Sequence, residues 1–165
     1  MMRKKFIFRG RYLILIAFTF FILLGALTAF FLTYFAEHSD NQQRFQNGEV
    51  PIQLPDGFLQ GSVNFESPWQ GKIIDSAAGK GINVIKTGDS TQETLPFKIY
   101  TGKGIRDREL DVIKFSYNLP ENPFYLRPIL DEVVQVAPGK YLGKAHFRIW
   151  SDFAITLAYF ELSEN

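Results

Sequence analysis

The run from Tyr12 to Phe35 carries no charged residue and follows a short basic head of Arg3, Lys4, Lys5, Arg9 and Arg11. At about 1.5 Å rise per residue, it reaches roughly 36 Å as a helix, enough to cross a bilayer core with some tilt. A chain carrying such a segment is expected to fold in two solvents. No later stretch approaches its length and apolarity, so one span is expected, with everything after it on one side of the membrane.

A cleaved secretory signal shares the basic head and apolar core, but that core usually covers about 7–15 residues and ends in small side chains. Here the run is longer, and Leu27 and Tyr34 stand two residues before Ala29 and Ala36, where a small side chain is needed. The segment therefore reads as an uncleaved anchor. Lys and Arg resist translocation, so the head, residues 1–11, is expected in the cytoplasm and the C-terminal part outside it. The chain has no cysteine. That removes disulfides, zinc–thiolate sites, thiol catalysis and a lipidated cysteine.

The chain divides into the head, a membrane helix over 12–36, a polar stretch over 37–50 and a domain over 51–165. The polar stretch reads as a spacer, either a solvated stalk or a continuation of the membrane helix. In the second case it would end near Asn47-Gly48, which suits a left-handed cap. Setting aside the five basic residues before Tyr12 leaves thirteen Lys and Arg against 17 acids, a net of −4. A mildly acidic domain lacks the positive footprint of a nucleic-acid binder. Its length suits one domain and not two.

From Pro51 onward the dominant period is two, which marks strands. The expected strands are Phe58–Phe65, Gln70–Ile74, Ile82–Lys86, Leu95–Thr101, Asp111–Tyr117, Asp131–Val136, Tyr141–Trp150 and Phe153–Leu162. The turn Ala137-Pro138-Gly139-Lys140 suits type II geometry, with glycine where positive φ is needed. Leu119–Leu130, with three prolines, is expected to be an ordered crossing loop, with at most a short helical turn. Seven or eight short strands argue an all-β domain, an antiparallel barrel or a sandwich. Closure removes exposed sheet edges and favours the barrel.

In the penultimate strand, Lys144, His146 and Arg148 share one face. They form either a solvated outer face or a cationic rung inside the barrel that holds a carboxylate or phosphate headgroup, with aromatics such as Trp69 and Tyr159 lining the cavity. The last strand is apolar on both faces: Phe153, Ile155, Leu157 and Tyr159 against Ala154, Thr156, Ala158 and Phe160. One of these faces must meet a covering loop, a partner or lipid. The Leu119–Leu130 loop is one candidate cover.

Trp69-Gln70-Gly71-Lys72, followed by successive hairpins and a closing meander over Leu130–Leu162, resembles the lipocalin-like (calycin) small β-barrels, including uncharacterised bacterial domains of that type. The resemblance implies a barrel whose interior takes a small apolar molecule. The Gly-x-Trp of true lipocalins is absent, since Ser67-Pro68 precedes Trp69.

Enzyme signals are missing. The chain has two histidines, His38 and His146, and neither an HExxH nor a GxSxG motif. The Gly-Lys-Gly triplets at Gly79–Gly81 and Gly102–Gly104 lack the rest of a phosphate loop and read as turns. Asp131 and Glu132 point to opposite strand faces and cannot act as an acid–base couple. No cofactor is expected. Two functions remain: an anchored extracytoplasmic barrel binding an apolar or amphiphilic, lipid-like molecule, or a non-catalytic scaffold in a membrane or envelope complex. The second draws on Gly25 and Ala29, a small-xxx-small spacing suited to packing against another membrane helix.

Overall fold

In the computed structural model, residues 3–164 are described, with side chains from Tyr12 onward. The side chains of the basic head therefore lie outside the described ones. Helix α1 runs unbroken over Arg3–Glu37, and its portion Tyr12–Glu37 is long and apolar enough to cross a membrane. Eight antiparallel strands follow: β1 (Gly57–Ser62), β2 (Trp69–Asp75), β3 (Lys80–Thr87), β4 (Ser90–Lys103), β5 (Asp111–Ser116), β6 (Ile129–Ala137), β7 (Lys140–Trp150) and β8 (Phe153–Ser163). Each pairs with its neighbours in sequence, and β8 returns to β1, closing a barrel. The turn between β6 and β7 has Gly139 at φ 66°, the left-handed conformation that its Pro-Gly sequence predicts.

Closure is short. β1 pairs with β8 only through Gln60↔Ser163, Gly61↔Leu162 and Ser62↔Glu161. Phe153–Phe160 would thus present a free strand edge, an unpaired row of backbone groups that invites aggregation. Helix α1 covers it. Thr156 N donates to Thr33 Oγ1 (3.2 Å), and the Arg106 guanidinium donates to Ala154 O (3.2 Å). The helix, not the Leu119–Leu130 loop, is what lies along the last strand. That loop holds turns without helix, and Asn122 pins it by donating to Pro96 O and Tyr117 O, each at 2.8 Å.

The barrel interior is packed by its own side chains. Leu59, Phe97, Ile113, Phe115 and Val133 retain no exposed surface. A smaller cluster, Phe45, Val112, Val134 and Leu142, lies on the outer wall. Its Phe45 comes from α2 (Asp40–Gln46), in the stretch the sequence presents as a spacer. The chain breaks at His38–Ser39 and folds this short helix back onto β6 and β7. Asn47 ends α2 in the right-handed region, so no left-handed cap forms. Gly48 serves another purpose. A Cβ there would overlap Val134, and the close approach lets Glu49 pair with Gln135 of β6.

One irregularity re-aims the last strand. β8 places Leu157 as an extra residue, because Ala145 pairs with Ala158 while His146 pairs with Thr156. Strict alternation puts Thr156 and Tyr159 on opposite faces. The bulge puts both on the outer wall, where Thr156 reaches Glu37 and Tyr159 reaches Gln42.

Candidate functional site

Two buried cationic centres stand on either side of the barrel wall. Inside, the ammonium of Lys72 on β2 lies 3.0 Å from Asp131 Oδ2 on β6. It donates to Asn83 Oδ1 (2.9 Å) and to the Tyr117 hydroxyl, which donates in turn to Asp131 Oδ2 (3.1 Å). Five rings surround the same nitrogen: Phe97 at 4.9 Å, Tyr117 at 5.2 Å, Phe160 at 5.3 Å, Trp69 at 5.4 Å and Phe115 at 5.6 Å. An aromatic cage of this kind suits recognition of a cationic ligand. Here the chain supplies the cation itself. Burial pushes Lys72 below the ordinary lysine pKa, against the pull of Asp131, and pushes Tyr117 well above the ordinary tyrosine value.

Trp69 belongs to this cage. Its indole N–H donates to Asn83 Oδ1 (3.1 Å), and its ring meets Phe160 edge-on at 5.5 Å. The faces it would offer an interior ligand are occupied by the protein's own groups.

Outside, Lys114, Glu132, Lys144 and Tyr159 form one cross-strand row over β5 to β8. Lys144 and His146 therefore do not form a rung inside the barrel. Neither do they face solvent: both are fully buried, under α1, α2 and the 104–110 loop. The Lys144 ammonium lies 2.9 Å from Glu37 Oε1 and 2.9 Å from Asp107 Oδ2, and donates to Gln42 Oε1 at 2.7 Å. Arg106 pairs with the same Glu37 oxygen at 2.8 Å. The Tyr159 hydroxyl also donates to Gln42, and its pKa is pushed far up by burial and by Glu37 and Asp107. His146 Nε2 faces Glu132 Oε2 at 3.3 Å, without a hydrogen-bonding angle, and Nδ1 stands 3.4 Å from Thr156 Oγ1. Glu132 Oε1 accepts from Ile105 N (2.8 Å).

Arg148 parts company with this pair. It is half-buried near the end of β7, beside Phe124, Arg127 and Trp150, and its side chain has no hydrogen-bond or ion-pair partner among the described residues. The structure thus brings Lys144 and His146 together and places Arg148 elsewhere. What the sequence does not reveal are the partners, because Glu37, Gln42 and Asp107 come from a helix end, a spacer and a loop.

The outer network has a pH consequence. Burial alone would raise Asp107, but bonds from Lys144, Gln46 and Gln42 hold it below the ordinary aspartate value. Burial likewise opposes, and His146, Ile105 N–H and Lys114 outweigh, the shift that leaves Glu132 lowered. Both carboxyls bind protons less readily folded than unfolded. Their contribution is therefore complete above the ordinary carboxylate range, about pH 4–4.5, and is lost as pH falls through the folded values. Near-UV circular dichroism from Phe45 and Tyr159 is expected to fade on acidification before the far-UV strand signal does. Coincident loss of both would contradict this order.

Beside the network, α1 and the β7–β8 hairpin enclose a groove of about 440 Å³. Ala26, Ala29, Ile149 and Phe153 make its apolar length, and His38 and Arg106 stand at its polar end. A second, shallower groove on the other side of the same edge runs between Gly25, Thr28, Phe147 and Leu157. The molecule is thus defined as an eight-stranded antiparallel barrel whose open edge is closed by its own apolar N-terminal helix. No family model, no curated protein and no solved structure matches the chain.

Proposed function

We propose that the protein is a membrane-anchored, non-catalytic extracytoplasmic barrel that holds an amphiphile in the groove between α1 and the β7–β8 hairpin. One observation carries the reading: an apolar trough of ligand size, closed at one end by His38 and Arg106, opens beside the segment suited to span the bilayer. Concave, mostly apolar sites with a few convergent polar groups are the usual form of small-molecule sites. The lipocalin-like expectation put the ligand inside the barrel. The caged Lys72 and the packed core favour the outer junction instead.

Ala29→Phe fills the groove from the helix side without touching the barrel interior. Native mass spectrometry of the full chain, released gently from membranes, is expected to show a lipid-sized adduct that falls at least about tenfold in this variant, a difference of about 1.4 kcal/mol in affinity. An adduct retained equally by both proteins would place the ligand elsewhere.

The scaffold reading keeps one specific support. The second groove exposes Gly25, where a Cβ would meet no neighbour within 4 Å, so another membrane helix has room to approach. Recovery of the monomer alone after crosslinking intact membranes would count against it.

A further inference from the structure

The β7–β8 hairpin does not stop at the barrel rim. β7 pairs with β6 as far as Ile129↔Phe147, and Arg148 N reaches Pro128 O (3.0 Å). Beyond that, Ile149, Trp150 and Phe153 project with 42%, 71% and 50% of their surface exposed. The neighbouring loop adds Phe124 and Tyr125, at 78% and 60%. Phe124, Ile149 and Trp150 line one surface depression together with Arg127 and Arg148, so loop and tip form one patch. A cluster of exposed aromatics this size demands an occupant.

The helix says which. Ile149 and Phe153 share a groove with Ala26 and Ala29, so the tip lies alongside α1 well before its C-terminal end. A hydrocarbon core of ~30 Å takes about 20 helical residues. If it begins at Tyr12, directly after the basic head, it ends near Phe31. The level of Ala26 is then roughly 7 Å inside that boundary, at 1.5 Å per residue. Whatever solvent reaches the Ala26 end of that groove also reaches Ile149 and Phe153, and the Trp150 ring stands 6.0 Å from that of Phe153.

We infer that the β7–β8 tip, with Phe124 and Tyr125, is a second membrane contact that inserts into the outer leaflet beside the anchor. The inference rests on the membrane-anchored reading above. Its chemistry fits the acyl–headgroup boundary, where Trp and Tyr concentrate. The Ser151-Asp152 turn limits the depth, because a carboxylate is costly in hydrocarbon and keeps the turn within reach of headgroups. Within the tip the two strands satisfy one another through the pairs Arg148↔Ala154 and Trp150↔Phe153. Arg127 is committed to Asn122 O and Pro120 O. Arg148, whose side chain has no partner among the described residues, takes the phosphate of a lipid headgroup at the rim of the patch. Of Lys144, His146 and Arg148, it alone faces lipid.

The chain has two tryptophans, Trp69 in the barrel and Trp150 at the tip. The full chain is reconstituted in phosphatidylcholine vesicles with a minority of phosphatidylglycerol, their acyl chains brominated near the headgroup end. Emission of the wild type is expected to be partly quenched, and Trp150→Phe, an exposed position, is expected to abolish the quenching. Adding Phe31→Trp to that variant, an exposed position at the headgroup end of the span, reports the anchor itself and is expected to restore it. If wild type and Trp150→Phe are equally unquenched while the Phe31→Trp reporter is quenched, the tip stands in water and the inference falls, with the anchor intact. If the helix reporter is unquenched too, the anchored reading fails with it.

Discussion

Replacing Lys72 with methionine is expected to lower the stability of the barrel by about 3–5 kcal/mol, the range for breaking a buried ion pair from one side. Methionine fills most of the lysine volume, so the loss is electrostatic in origin. It leaves the Asp131 carboxylate inside the barrel with the Tyr117 hydroxyl as its only side-chain donor among the described residues. It also strips Asn83 Oδ1 of its ammonium partner and leaves the five rings facing an apolar chain. Against a typical total of about 5–15 kcal/mol, this is a large fraction. For a domain of this size it lowers the melting temperature by roughly 10–20 °C. The double variant Lys72→Met with Asp131→Leu separates charge from shape. Removing both charges is expected to recover most of the loss, since apolar replacement of a whole buried pair is often close to neutral. Equal losses in the single and double variants would mean that packing around Lys72, not the pair, holds the barrel together.

This centre shows where the sequence is readable and where it stops. Period-two alternation located all eight strands, because each wall position faces either a packed core or something outside it. The same rule separated Asp131 from Glu132, and the structure sends them to the two different centres, one to Lys72 and one to His146. Lys72 itself was legible in principle. It shares a strand face with Ile74, which is 2% exposed, so a charge at that position had to find a buried partner. Alternation could not reveal that the outer wall is also buried. That depends on α2 folding back from what reads as a polar spacer, and a seven-residue helix with one apolar residue, Phe45, has almost no periodic signal. Nor could it anticipate the bulge at Leu157, which inverts the facing of half a strand without any glycine or proline to mark it. Arg148 looked like a companion of Lys144 because spacing fixes a face but not a depth along the strand.

Replacing Lys144 with methionine is expected to cost a similar amount, about 3–5 kcal/mol, but to be felt in a different part of the molecule. The ammonium ties three elements to the outer wall: the end of α1 through Glu37, α2 through Gln42, and the 104–110 loop through Asp107. Without it, Glu37 keeps Arg106 and Thr156, while Asp107 keeps only the amides of Gln42 and Gln46. Asp107 is therefore the group left worst off, and α2 with its Phe45 is the element expected to detach. Hydrogen exchange is expected to rise sharply over residues 40–46 and 104–110, with β2 to β5 still protected. Uniform deprotection of every strand would instead make Lys144 a general support of the barrel. Adding Asp107→Asn removes the stranded charge and is expected to restore much of the protection over 40–46. Lys144 does not line the amphiphile groove, yet Glu37 and Arg106, which do, take their positions from it. Loosening of the junction is thus expected to reduce the lipid adduct as well, and restoration by Asp107→Asn would tie the groove's shape to this one buried ammonium.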